Sequence, residues 1–193
     1  METAGGAVPT ATVRPVGRRN YLVEGVSATG KTSVCEELRR RGHHAVHGDR
    51  ELAYQGDPVT GAALEGHRHE HHLWDVEAVR TLVSDQEHAE TFFCGGSRNV
   101  RDFISLFDGV FVLDVDLATL ERRLDQRPEG EWGARPSERE LVVRLHRSGE
   151  GVPDGIHVDA TVPVARVVDE ILSATAPARR GGARGVVRHR GRR

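Results

Sequence analysis

The chain has 193 residues, a formal net charge of −2 and only 37% hydrophobic residues. That length suits one domain with a sizeable core and polar ends. No run is long enough to cross a membrane and no leader peptide is readable, so a cytoplasmic protein is expected. Two cysteines, Cys35 and Cys94, exclude a disulfide scaffold and fit a reducing compartment.

Residues 1–19, with Pro9 and Pro15 and no periodicity, read as a disordered extension ahead of a domain over 20–175. The domain opens with a short buried strand, Asn20 to Glu24. Gly25-Val26-Ser27-Ala28-Thr29-Gly30-Lys31-Thr32 follows and satisfies G-x-x-x-x-G-K-[ST] at every fixed position. Lys31 to Arg41 is helical, with Val34, Cys35 and Leu38 inward, and stops at Gly42. A second strand at His44 to His47 leads into Gly48-Asp49-Arg50. Residues 52–72 show no regular period. Gly56-Asp57-Pro58 and Gly61 mark turns there, ahead of His67-Arg68-His69-Glu70-His71-His72.

Asp75 caps a helix over 76–89. Thr91-Phe92-Phe93-Cys94 is a buried strand ending at Gly95-Gly96, after which Ser97 is expected to cap a helix burying Val100, Ile104 and Phe107. Gly109 to Val115 is the strongest strand signal. Leu117, Leu120 and Leu124 form the stripe of a helix that Pro128 ends. A polar loop over 128–136 precedes Ser137 and Glu140, whose spacing predicts a capping box for a helix over 138–147. Ile156 to Val158 is a last strand, and Pro163 opens a helix with Val164, Val167, Val168, Ile171 and Leu172 inward. Residues 176–193 carry seven arginines from Arg179 to Arg193 and no acid. Such a tail reads first as a solvated, disordered end and second as a nucleic-acid contact. Five short strands alternating with helices predict an α/β fold, a parallel sheet with helices on both faces.

The chemistry is expected at the glycine-rich loop. Its backbone N–H groups from Gly25, Ser27, Ala28, Thr29 and Gly30 would ring a phosphate at a helix N-terminus. Lys31 would reach the β- and γ-phosphates of a nucleotide such as ATP, and the Thr32 hydroxyl would ligate Mg²⁺. Lys31 is also the only lysine among the 27 lysines and arginines. A compact ammonium is thus kept where an arginine fork fits poorly between phosphates.

From this loop onward, over roughly residues 20–174, the chain resembles the small P-loop kinases of the adenylate kinase and shikimate kinase group. The resemblance implies a three-layer P-loop fold with a lid over about 127–137 and an acceptor flap over about 50–75. It implies Asp49 as the base or orienting group for an acceptor hydroxyl, with Arg50 steadying substrate or phosphate. Cys94-Gly95-Gly96-Ser97-Arg98 looks like the turn after the third strand, where Gly95 and Gly96 admit substrate and Arg98 grips its polar groups. The group often places an Asp where Cys94 stands; Asp114 mimics such an acid but, by order, belongs to the fourth strand and reads as structural. Leu120-Glu121-Arg122-Arg123-Leu124-Asp125-Gln126-Arg127 resembles the lid helix, implying Arg123 beside the adenine and Arg127 on the transferring phosphoryl group, with Arg135 from the flap. Val158-Asp159-Ala160-Thr161 resembles the adenine-side loop.

His72 and Trp74 are candidates to stack on or bond the acceptor. His67 and His71, four apart, would suit zinc, but no third ligand stands at a recognised spacing. The expected activity is ATP-dependent phosphorylation of a small-molecule hydroxyl, with a nucleoside favoured. A nucleoside monophosphate, a sugar acid or an antibiotic are alternative acceptors. A nucleotide-hydrolysing switch and a non-catalytic nucleotide binder are the readings from other classes.

Overall fold

The computed structural model describes residues 18–176, so the expected N-terminal extension and arginine-rich tail lie almost wholly outside the described residues. Five strands, β1 (Arg19–Glu24), β2 (His44–His47), β5 (Glu90–Cys94), β6 (Gly109–Asp114) and β7 (Ile156–Asp159), pair in parallel in the order β2-β5-β1-β6-β7. This is the predicted parallel sheet. β1 lies at its centre, between β5 and β6, so the loop after Glu24 leaves from the middle of the sheet's C-terminal edge.

Strand alternation divides the core. Tyr21, Val23, Phe92, Cys94, Phe111 and Leu113 face α1 (Lys31–Arg40), α4 (Leu117–Asp125), α5 (Pro136–Ser148) and α6 (Val164–Thr175). Leu22, Val46 and Phe93 face the other way, onto α3 (Val76–Ser84) and the segment from Val100 to Phe107. Among the described residues, no helix is long and apolar enough to cross a membrane.

Four local expectations are corrected. Residues 52–74 hold a second sheet: β3 (Ala53–Gln55) pairs antiparallel with β4 (His72–Trp74), following a one-turn helix α2 (Gly48–Glu51). Ser97 caps no helix. Its hydroxyl and the Asn99 Oδ1 each accept from the Trp74 N–H at 3.0 Å, and the chain then makes two 3₁₀ turns, Val100–Asp102 and Ile104–Leu106. α3 ends at Ser84, because Asp85 turns extended. α5 starts at Pro136, since proline suits a first helical position, and Glu138 rather than Glu140 reaches back, toward the N–H groups of Gly133 (2.9 Å) and Arg135 (3.5 Å).

Trp74 is 1% exposed and stacks on Phe103 at 5.5 Å and 4°. It lies in the core, and so cannot stack on a ligand. Two glycines close over it: a Cβ on Gly48 would come within 1.9 Å of the indole, and one on Gly95 within 2.6 Å. Trp74→Ala should therefore cost about 3–5 kcal/mol of stability and loosen α2, read as a lowered denaturant midpoint.

Candidate active site

The glycine-rich loop joins β1 to α1 and bends by unusual backbone angles. Ala28 has φ +73 and Gly30, the residue before α1, φ +108. Gly25 has no room for a side chain, since a Cβ would meet the Thr29 Oγ1 at 2.6 Å and the Leu113 carbonyl at 2.8 Å. Thr29 pins the turn by donating its hydroxyl to Val26 O at 2.8 Å. Lys31 curls over the loop, its Nζ donating to Gly25 O at 2.5 Å and Val26 O at 3.1 Å. The Thr32 hydroxyl lies 3.2 Å from Nε2 of buried His47. This places an oxygen donor of the kind Mg²⁺ prefers at the first turn of α1.

A cavity of about 890 Å³ opens over this loop. Across from the loop its lining includes Asp49, Arg50, Gln55, Arg68, His72, Gly96 and Arg98. Asp49 Oδ1 accepts from the Gly96 N–H at 3.1 Å and faces His72 Nε2 at 3.2 Å. Burial would raise the Asp49 pKa. The bond to His72, the Lys31 charge and the Gly96 N–H outweigh it, and hold the carboxyl below its ordinary range. His69 is pushed down to about 4, first by burial and then by Arg98 and His72 nearby, so it is neutral in this cationic corner.

The lid arginines divide. Arg123 lines the cavity and also donates to Ala28 O (3.3 Å), Thr29 O (2.9 Å) and Ala160 O (2.7 Å), clamping the phosphate loop to the segment after β7. Arg127 faces the cavity, half-buried beneath Gly133. Arg135 is exposed and outside the cavity lining, because the chain has by then turned into α5; Gly95 and Trp74 also stand behind the lining. Ala160, Val162, Val164 and Val167 form an apolar strip beside the loop. Asp114 is held by His157 Nδ1 at 2.5 Å, away from the cavity. His67 and His71 gather no third ligand among the described residues.

Three residues of the site carry no motif that singles them out in the sequence. Trp132 lines the cavity and stacks on His69 at 5.6 Å and 16°. His47 supports Thr32. Glu24 is the most consequential of the three: it is 5% exposed, lines the cavity, and its Oε2 is buried without a hydrogen-bond partner. Burial, with a contribution from Asp49, raises its pKa to about 7 against the opposing charges of Lys31 and Arg98. An acid ending an apolar strand directly before Gly25 was the available signal. Cys94, by contrast, turns into the core against Cys35, and that contact together with burial raises its thiol pKa.

A profile of the AAA domain matches residues 22–148. The chain belongs to this family. No curated protein matches this AAA-domain chain in sequence. Its fold is similar to that of a gluconokinase from Sinorhizobium meliloti 1021, with 22% identity over 80% of this chain and 90% of that one, TM-score 0.50. It is also similar to a sugar kinase from Janibacter sp. HTCC2649, with 20% identity over 81% of this chain and 94% of that one, TM-score 0.52. The AAA-domain chain therefore has the P-loop kinase fold that the resemblance implied.

Glu24 also couples stability to pH. Below about pH 4.5 it is neutral whether folded or unfolded and costs nothing. As pH climbs toward 7 the unfolded chain ionises first. The fold then loses up to roughly 3 kcal/mol, each tenfold difference in proton affinity between the two states being worth ~1.4 kcal/mol. Glu24→Gln removes that loss. The variant should melt higher than wild type at pH 8 and show no such gain at pH 4, measured by thermal unfolding across the range.

Proposed function

We propose that this chain is an ATP-dependent kinase that transfers the γ-phosphoryl group to a hydroxyl of a small molecule. The observation that carries this reading is one cavity with Lys31 and the phosphate loop on one side and an ionised Asp49 on the other. The Lys31 ammonium would leave the loop carbonyls for the β- and γ-phosphates, and Thr32 would hold Mg²⁺, which supplies charge neutralisation when bound. Arg127, poised on the cavity wall, would meet charge developing on the transferred group. Asp49 would accept the acceptor's hydroxyl proton. Its lowered pKa makes it a weak base, so orienting the hydroxyl is its larger contribution in a loose transition state.

The acceptor side favours an acid-bearing substrate. Arg50, Arg68 and Arg98 line it with Gln55 and His72, and the Glu150 carboxylate near Arg98 stands off at 3.9 Å. A nucleoside, favoured on the resemblance and on the His72 and Trp74 segment, loses one stacking ring because Trp74 is core; Trp132 and His72 still line the cavity. Sugar acids and nucleoside monophosphates fit the arginines better.

A coupled ADP-release screen over sugar acids, nucleosides and nucleoside monophosphates tests this reading. ADP release that no acceptor accelerates would mark a nucleotide-hydrolysing protein instead. Lys31→Ala should abolish turnover in a folded protein, a loss of 3 kcal/mol or more on the order of known transition-state contacts; a rate within about tenfold of wild type would remove this loop from the chemistry. Asp49→Asn should bind ATP normally yet transfer ~10²-fold more slowly, with the loss in kcat as well as kcat/KM.

A further inference from the structure

Glu24 has no part in the mechanism above, yet its side chain stands in the site. It ends β1, and its neighbour in the β1–β5 register, after the pair Val23 and Cys94, is Gly95. A Cβ on Gly96 would lie 3.0 Å from Glu24 Oε1 and 3.9 Å from Lys31 Cε, so the carboxyl and the lysine stem meet over the same bare backbone. Gly96 gives its N–H to Asp49, and the two carboxyls therefore flank one residue. The charged groups facing Glu24 are Lys31 from α1, Asp49 from α2 with His72 behind it, and Arg98 from the turn after β5. Cys94 belongs to the core on the opposite face of the sheet. A carboxyl oxygen buried without a partner, beside the lysine that would hold phosphate, lacks a group to bond.

On the reading of this cavity as a nucleotide site, we propose that Glu24 enters the ATP complex as the neutral acid and donates its carboxyl O–H to an anionic oxygen of the phosphate that Lys31 holds. Binding then takes one proton from solvent onto Glu24 and breaks no other bond. Two effects drive it in the same direction. Phosphate adds negative charge beside a carboxyl that already shares its space with Asp49. It also draws Lys31, the cation that most favours the ionised form, into its own ion pair. Glu24 is thus a positioning residue that makes phosphate affinity depend on pH near neutrality.

The test is calorimetric titration of the full chain with ATP and Mg²⁺, in buffers of different ionisation enthalpy, from pH 6 to 8.5. Wild type should take up close to one proton near pH 8, and its ATP affinity should weaken roughly tenfold from pH 7 to pH 8.5. Glu24→Gln, a neutral donor of the same shape, should take up none there and hold a flat affinity. At pH 8.5 it should bind ATP about tenfold tighter than wild type. Glu24→Ala, checked for folding by its melting curve, should also lose the uptake but without the gain in affinity. Proton uptake unchanged in Glu24→Gln, or tight binding without uptake in wild type, overturns the role of Glu24. Failure of wild type to bind ATP at any pH overturns the nucleotide reading itself.

Discussion

The contact on which the site depends is the close fit of two glycines on one indole. Trp74 is locked from below by Phe103 and at its backbone by Ser97 and Asn99. Gly48 and Gly95 approach it to distances that no side chain could share. This fit sets the first turn of α2 against the end of β5 and brings the Asp49 carboxylate within reach of the Gly96 N–H. A contact of glycine backbone on an indole thereby fixes the direction of the Asp49 carboxylate in the cavity. The small β3–β4 sheet extends the same wall, because its register places His72 opposite Gln55, with both on the cavity.

On the opposite side a cation joins packing in holding the phosphate loop, whose Val26 and Ala28 rest on the core. Arg123 ties three carbonyls from two segments far apart in sequence, so the loop's shape depends on a helix that begins nearly a hundred residues later. Lys31 and Arg127 line the cavity beside that loop, and Arg50, Arg68 and Arg98 line it on the far side. Glu24 and Asp49 oppose this excess of positive charge with carboxyls of contrasting character, one pushed up and the other down. Pairs separated in this way are how one cavity holds a proton and a full negative charge side by side.

Much of this was legible in the chain. The phosphate loop has fixed spacing, and the five sheet strands are short apolar runs bounded by glycine or polar turns, so both could be read. What escaped depends on contacts distant in sequence. β3 and β4 are three residues each, separated by a long irregular stretch, and neither alternates. Ser97 carries a capping signal, but its hydroxyl is used on Trp74, and the expected helix shortens to 3₁₀ turns. Trp74 looked like a ligand-stacking ring because burial does not show in a motif. Trp132 was hidden inside a polar, glycine-rich segment, and Glu24 read only as the last residue of a strand.

The chain's two tryptophans occupy contrasting places. Trp74 is sealed against Phe103 in the core, while Trp132 lines the cavity against His69. Nature has thus supplied the molecule with a built-in pair of fluorophores. One ring reports whether the core beneath Gly48 and Gly95 is intact, and the other reports the surroundings of the cavity at His69. Removing Trp132 leaves a spectrum that follows the core alone, and the difference between the two spectra isolates what happens beside His69.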